Sequence, residues 1–207
     1  MNQLIVSPSP HVHGTESVEK NMYSIIIALL PTVLIGLVFF GWGALIVLLT
    51  SICSCALFEW GISKYILKTR PTLSDGSAIV TGLLLGLNLP SNLPLWMVII
   101  GAIVAIGVAK MTFGGLGNNP FNPALVGRCF MLISFPAAMT SWPLVGQWTN
   151  YLDAQTGATP LAIMKAAIKT GDPSLLQQLP NATKLLLGYQ SSFGGGAVGE
   201  LCALALL

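Results

Sequence analysis

The chain has 207 residues, 54% of them hydrophobic and 8% charged, with a mean hydropathy of +0.77 and a net charge of +2. A soluble globular domain carries about 25% charged residues, so this composition excludes one and describes an integral membrane protein. The small net charge gives no ground for a nucleic-acid partner.

Residues 1–20 form a polar lead containing Ser7-Pro8-Ser9-Pro10 and the pair His11-Val12-His13. Two ligands in a polar lead make a poor metal site, because structural sites close with four. No small-residue cleavage site follows a short apolar core, so the first hydrophobic segment is expected to stay as an anchor. That segment covers 22–40 and has the length of about 20 residues that a hydrocarbon core requires. Pro31 inside it is expected to bend it, which membrane helices tolerate. Gly41-Trp42-Gly43 reads as a tight turn with an interfacial tryptophan.

The second apolar segment covers 44–66 and ends among Lys64, Lys68 and Arg70, the strongest basic cluster of the chain. The positive-inside rule places this cluster, and Lys20 before the first helix, in the cytoplasm. Glu59, near the inner end of the second helix, reads either as a paired or snorkelling charge or as part of an ion path. After Leu73-Ser74-Asp75-Gly76-Ser77 comes an apolar stretch, 78–89, too short to span alone. Such a segment resembles a broken membrane helix whose N-terminus faces a ligand, and Asp75 stands at its mouth. Asn88, Pro90, Asn92 and Pro94 then interrupt the chain before a helix over 95–108 that closes with Lys110.

The stretch Gly114-Gly115-Leu116-Gly117-Asn118-Asn119-Pro120-Phe121-Asn122-Pro123 is irregular and polar. At membrane depth such backbone survives only inside protein or beside a cavity. The asparagine amides of this stretch supply paired donors and acceptors that suit the edge of a flat heterocycle, and glycines let backbone approach it. A cytoplasmic turn with a capped helix accounts for the same residues. Pro123 opens another short apolar run, to 135, that contains Arg128. This guanidinium could balance a reduced flavin or pair with a carboxylate such as Glu59.

Counting both short segments as crossings puts 136–196 outside the cytoplasm. This loop holds the polar island Asp153-Ala154-Gln155-Thr156-Gly157-Ala158-Thr159-Pro160-Leu161. Thr159 suits the cap of a helix and Pro160 its first position. Leu161, Met164 and Ile168 then fall on one face, with Lys165 and Lys169 towards the other. The Thr159 hydroxyl would lie beside unpaired backbone N–H groups at a positive helix end, a favourable place for a phosphate. Asp153 could bind a cation or backbone donors nearby. An ordinary capped helix after a turn is the alternative from local physics.

A second helix start is expected at Asp172-Pro173, with an apolar run over 175–179, and the sequon Asn181-Ala182-Thr183 reads as chance. The last segment opens at Gly194-Gly195-Gly196, and its ten or so apolar residues would give roughly 15 Å of helix, the start of a truncated membrane span. The cysteines at 53, 55, 129 and 202 lie in apolar segments and read as free thiols.

Two blocks carry a family resemblance. Asp153-x-x-Thr156-Gly157-Ala158-Thr159 is similar to the flavinylation motif shared by the D subunit of Rnf complexes and the B subunit of sodium-pumping NADH:quinone reductases. The block from Phe113 to Leu125, followed by Gly127-Arg128, Ser134-Phe135-Pro136 and Met139-Thr140-Ser141-Trp142, resembles the same family, as do Ser7 to His11 and Ser77-Ala78-Ile79-Val80-Thr81-Gly82. The short lead looks more like the Rnf subunit. The resemblance implies a membrane subunit passing electrons between ferredoxin and NAD, coupled to sodium or proton movement. It implies FMN esterified through its phosphate to the hydroxyl of Thr159, with Asp153, Thr156, Gly157 and Ala158 around it. It further implies a second flavin, riboflavin, near Asn119 and Asn122. Glu59, Asp75 and Arg128 are the candidates for ion coupling. Expected partners are the other Rnf subunits, a separate flavin transferase, and the bilayer of a prokaryotic inner membrane.

The expected fold is therefore an all-α polytopic helix bundle with broken or half-length helices, the first half of an inverted repeat. Its parts are a polar lead at 1–20, a bundle of about five segments at 21–135, an extracytoplasmic loop with the flavin site at 136–196, and the truncated helix at 197–207. The B subunit of the quinone reductase, a solute transporter without redox activity and a scaffold subunit are the rival readings. Intramembrane bis-histidine haem is excluded, because both histidines precede the first helix.

Overall fold

The computed structural model describes residues 17–68, 73–171, 174–175, 179, 181–188 and 196–200. His11, His13, Arg70, the helix start at 172–173, Cys202 and the apolar end at 201–207 lie outside the described residues.

Helix α1 is Val18–Phe40, begun by Ser17, whose hydroxyl accepts from the Lys20 N–H. It contains Pro31 and ends at Gly41, where a φ of 59° turns the chain back. Helix α2, Trp42–Gly61, runs on without a break into a π-helical stretch, Ile62–Ile66. Helix α3 is Ser77–Leu87. Helix α4, Leu95–Ile103, continues as a second π-helical stretch, Val104–Lys110, and a 3₁₀ turn, Met111–Phe113. Helix α5 is Pro123–Ser134, α6 Pro136–Met139, α7 Pro160–Thr170 and α8 Ala182–Leu187. Among the described residues there is no strand, only an isolated bridge between Pro143 and Thr156.

Among the described residues three spans are long and apolar enough to cross a membrane, Val18–Phe40, Trp42–Ile66 and Leu95–Phe113, while α3 and α5 are apolar but short. Ile27, Leu34, Val38, Leu49 and Leu57 are exposed on α1 and α2. In water such a surface would be costly; against lipid it costs nothing.

The contacts fix the directions of the helices. Gly76, at the start of α3, lies beside Met22, Tyr23 and Ile26 at the start of α1. Gly41 abuts Trp148, and Gly43 abuts Ser91. Trp96, at the start of α4, meets Phe135, just past the end of α5, edge to face at 5.4 Å. So α1 to α5 alternate in direction. One end gathers Lys20, Lys64 and the 114–122 loop. The other gathers the α1–α2 turn and the segment after α5. The 20 residues of α2 put about 30 Å between them.

Small residues draw the helices together. A Cβ on Gly82 would stand 2.6 Å from the Ile52 Cα, and one on Gly86 would stand 2.9 Å from Leu48. The Ser51 hydroxyl donates to the Gly82 carbonyl at 2.8 Å. On α5, Gly127 comes equally close to the Gly101 carbonyl of α4. Without a hydrophobic drive between helices in lipid, this close contact and the cross-helix hydrogen bond supply the attraction.

A half-length helix leaves carbonyls that lipid cannot satisfy. The turn at 196–200 meets that need for α3: the Gly199 N–H donates to Leu87 O at 2.8 Å and the Val198 N–H to Leu89 O at 3.3 Å. Arg128 donates to the Asn88 side-chain oxygen at 2.7 Å and to Glu200 at 3.3 Å. Arg128 therefore pairs with Glu200 and not with Glu59, correcting that expected pairing. It lies halfway along α5, level with the end of α3, while Glu59 lies at the far end of α2.

Beyond α5 the chain is tied to the α1–α2 end. The Trp42 N–H donates to Trp148 O and the Gly146 N–H to Phe39 O. The Tyr151 hydroxyl donates to Leu93 O, just before α4. Burial pushes the Tyr151 phenol above its ordinary value. A raised folded value means a contribution that is fully present below the unfolded tyrosine pKa of about 10 and lost as pH rises through the folded one. Thermal melts of Tyr151→Phe should show a loss of about 1 kcal/mol at neutral pH and a shallower alkaline fall than the wild type. An unchanged alkaline limb would refute the tie.

Candidate functional site

The first place where chemistry is possible is the start of α7. Thr159 has extended backbone, φ −69° and ψ 154°, and its hydroxyl accepts from the Ala162 N–H at 3.3 Å. Pro160 occupies the first helical position and brings no N–H. The expected cap is present. The preceding residues are held by the Leu144 N–H to Gln155 O and Gly157 N–H to Trp142 O bonds, so Thr156 and Gly157 form one edge of a small two-stranded contact. Asp153, Thr156 and Ala158 are exposed, and Thr159 is half-buried. The hydroxyl is thus reachable, at the positive end of an 11-residue helix, and a phosphate on it fits.

Sequence periodicity gave α7 an apolar face, and the structure leaves that face outward. Leu161 is 61% and Ile168 82% exposed, while Ala167 is buried. Helical spacing fixes which residues share a face, not what covers it.

The second place lies at the opposite end of the bundle. A pocket of about 290 Å³ is lined by Ser77, Thr81, Lys110, Asn119 and Asn122, with Met22 and Pro123 among its apolar walls. This is at the lower end of the range of about 300–1,000 Å³ for small-molecule sites. Asn122 caps α5, its side-chain oxygen accepting from the Ala124 N–H at 3.0 Å, and Asn119 donates to Phe121 O at 3.0 Å. Each amide thus gives one polar atom to the loop's own backbone. A planar ring with carbonyl and N–H groups on its edge fits a site of this size and polarity.

The floor of this pocket was not legible residue by residue. Lys110 Nζ stands 2.5 Å from Glu59 Oε2 and donates to Ser77 Oγ at 2.8 Å. Lys110 is 2% exposed and Glu59 0%. Glu59, an expected ion-coupling residue, is thus a buried, paired carboxylate, and Asp75 sits half-exposed in the turn before α3. Charges inside apolar segments are rare and pair with one another. That rule gives Glu59, Lys110 and Arg128 each a need for a partner, but does not choose Lys110 over Arg128 for Glu59. Such pairs add little net stability, because desolvation offsets attraction, yet removing one partner costs about 3–5 kcal/mol.

These features define a multi-pass α-helical membrane protein with a half-buried threonine hydroxyl capping a helix at one end and a polar pocket on an ion pair at the other. Residues 5–207 match the NQR2, RnfD, RnfE family, and the chain belongs to it. It is 40% identical over 210 residues to the D subunit of the proton-translocating ferredoxin:NAD(+) oxidoreductase complex of Clostridium ljungdahlii, covering 100% of this chain and 60% of the relative. It is 41% identical over 212 residues to the D subunit of the Na(+)-translocating complex of Acetobacterium woodii, covering 100% of this chain and 61% of that protein. A third relative, the D subunit of the ion-translocating oxidoreductase complex of Yersinia pestis, is 34% identical over 232 residues, 96% of this chain and 66% of its own length. The chain therefore spans about 60% of the length of the first two relatives.

Proposed function

We propose that this chain acts as the D-type membrane component of an ion-translocating ferredoxin:NAD oxidoreductase. It relays electrons through FMN esterified to Thr159 and couples their passage to sodium or proton movement. The observation that carries the reading is the agreement of relatives named as D subunits with a reachable threonine hydroxyl at a helix N-terminus. Bound there, the flavin supplies the redox chemistry. The chain supplies the ester oxygen of Thr159, backbone N–H groups for the phosphate, and a fixed position. A second flavin in the pocket of Asn119 and Asn122 gives the relay a station at the other end of the bundle. Glu59, Asp75 and Arg128 are the residues through which ion movement would be coupled.

Lys20, Lys64 and Lys68 at one end of the bundle support a cytoplasmic face there, in a prokaryotic inner membrane. Thr159 then belongs to the extracytoplasmic side. The partners are the other membrane and peripheral subunits and a flavin transferase. The names of the relatives favour this reading over the B subunit of a quinone reductase or a non-redox transporter.

Inverted membrane vesicles from cells with and without the full-length protein test it. With it, reduced ferredoxin should drive NAD reduction and ion uptake together. Without it both should be lost, and the full chain should restore both. Retained electron transfer in its absence would overturn the proposal.

A further inference from the structure

The outward side of α2 is one continuous stripe. Leu49, Cys53, Leu57, Trp60 and Lys64 are all exposed and follow one another at helical spacing, so they line one face. The stripe is apolar as far as Leu57, aromatic at Trp60 and cationic at Lys64, with Lys68 exposed just beyond. From Leu49 to Trp60 the helix rises about 16 Å, about half of a hydrocarbon core of about 30 Å. We propose that this stripe binds one anionic phospholipid. Its acyl chains lie along Leu49, Cys53 and Leu57, and its phosphate sits on the ammonium groups of Lys64 and Lys68.

The head of the site is built by the π-helical stretch Ile62–Ile66. Lys64 Nζ stands 4.7 Å from the centre of the Trp60 ring and 5.6 Å from that of Tyr65, and the two rings meet edge to face at 5.8 Å. Residues five apart, such as Trp60 and Tyr65, are not neighbours on an α-helix, where those three and four apart are. The wider π turn, with its i→i+5 bond, brings them to one side. Tryptophan and tyrosine are also the residues that settle at the membrane–water interface. The two rings hold the Lys64 ammonium without cancelling its charge, because a ring offers a quadrupole and no net charge. Glu59, the carboxylate next to Trp60, is buried and paired with Lys110. The positive charge of Lys64 and Lys68 is therefore left facing outward, where an anionic headgroup complements it.

A zwitterionic phospholipid offers the same phosphate but brings its own ammonium, so net charge is what the stripe distinguishes. Each lysine near an anionic surface gives about a five-fold preference, and the pair about twenty-five-fold. The site lies on the outward side of α2 and involves no flavin, so it stands or falls apart from the electron relay.

Native mass spectra of the purified full-length protein, released from mixed micelles of phosphatidylglycerol and phosphatidylcholine in equal amounts, test it. The wild type should retain phosphatidylglycerol in preference to phosphatidylcholine by about twenty-five-fold at one position. Lys64→Gln/Lys68→Gln should carry one phosphatidylglycerol fewer, and Lys64→Arg/Lys68→Arg should bind like the wild type. Trp60→Leu/Tyr65→Leu keeps both charges but frees Lys64, and its preference should fall to about five-fold, that of Lys68 alone. Equal phosphatidylglycerol counts in the wild type and the glutamine variant overturn the inference, as does an unchanged preference in the leucine variant. Displacement of the lipid by soluble glycerol 3-phosphate would make this a site for free phosphate and also overturns it. If the glutamine variant keeps its lipid but loses a peripheral subunit of the complex, the stripe is a protein-docking face and the inference falls.

Discussion

In a denaturing gel, the wild-type protein produced with its flavin transferase should fluoresce under ultraviolet light, and Thr159→Val should be dark. The expected loss is complete, because valine has the shape of threonine but no oxygen to form the phosphoester. Fluorescence that survives denaturation reports a covalent bond, so a flavin held only in the pocket does not contribute. Folding is a confounder of modest size. The Thr159 hydroxyl also accepts from Ala162 N–H, and loss of such a cap costs about 1 kcal/mol. Thr159→Asn separates the two effects, since asparagine caps a helix well but offers no hydroxyl. It should assemble like the wild type and remain dark. Thr159→Ser keeps the nucleophilic oxygen and should retain signal. A glowing Thr159→Val would leave the chain flavinylated at another residue.

The three long spans and both short helices were legible because their signals are local. Apolar length marked α1 and α2, Pro-Asn punctuation marked the end of α3, and Asn122-Pro123 and Thr159-Pro160 marked two helix starts. The pairings were not, because they join residues far apart in sequence. Glu59 and Lys110 are 51 positions apart, and Arg128 and Glu200 are 72. Each charge announced that it needed a partner, but a choice among carboxylates required the depth of each residue. Arg128 found Glu200 because the 196–200 turn docks on the end of α3, which no periodicity predicts. The two π-helical stretches were equally hidden, since a π turn has no residue signature as strong as a proline or a capping asparagine. The pocket followed from the same long-range contacts: Ser77, Lys110 and Asn122 meet only once α3, α4 and α5 alternate in direction. One local signal went unused. Gly82-Leu83-Leu84-Leu85-Gly86 has the small-residue spacing of close helix contacts in membranes.

That spacing carries the second large effect. Gly82→Val should abolish the native packing of α2 on α3 and lower stability by about 3 kcal/mol or more, at and beyond the usual range for overpacking. The new Cβ would lie 2.6 Å from Ile52 Cα and 3.1 Å from both Ile52 N and Ser51 O. All three are backbone atoms, so no rotamer change relieves the contact. Carbon atoms settle at about 3.5–4.0 Å, and the helices must part by about 1 Å to reach it. Parting them stretches the 2.8 Å bond from Ser51 to Gly82 O. It also displaces Ser77, at the start of α3, from Lys110. The variant should therefore lose both yield of folded protein and the polar floor of the pocket. Gly61→Ala is the matched control, with nothing within 4 Å of its added Cβ, and should melt at or above the wild type because alanine favours helix by up to about 1 kcal/mol. The comparison is read in thermal melts of the full-length protein. Equal melting of the two variants would mean that α2 and α3 do not meet at Gly82, and the contacts that bring Ser77 to Lys110 would fall with it.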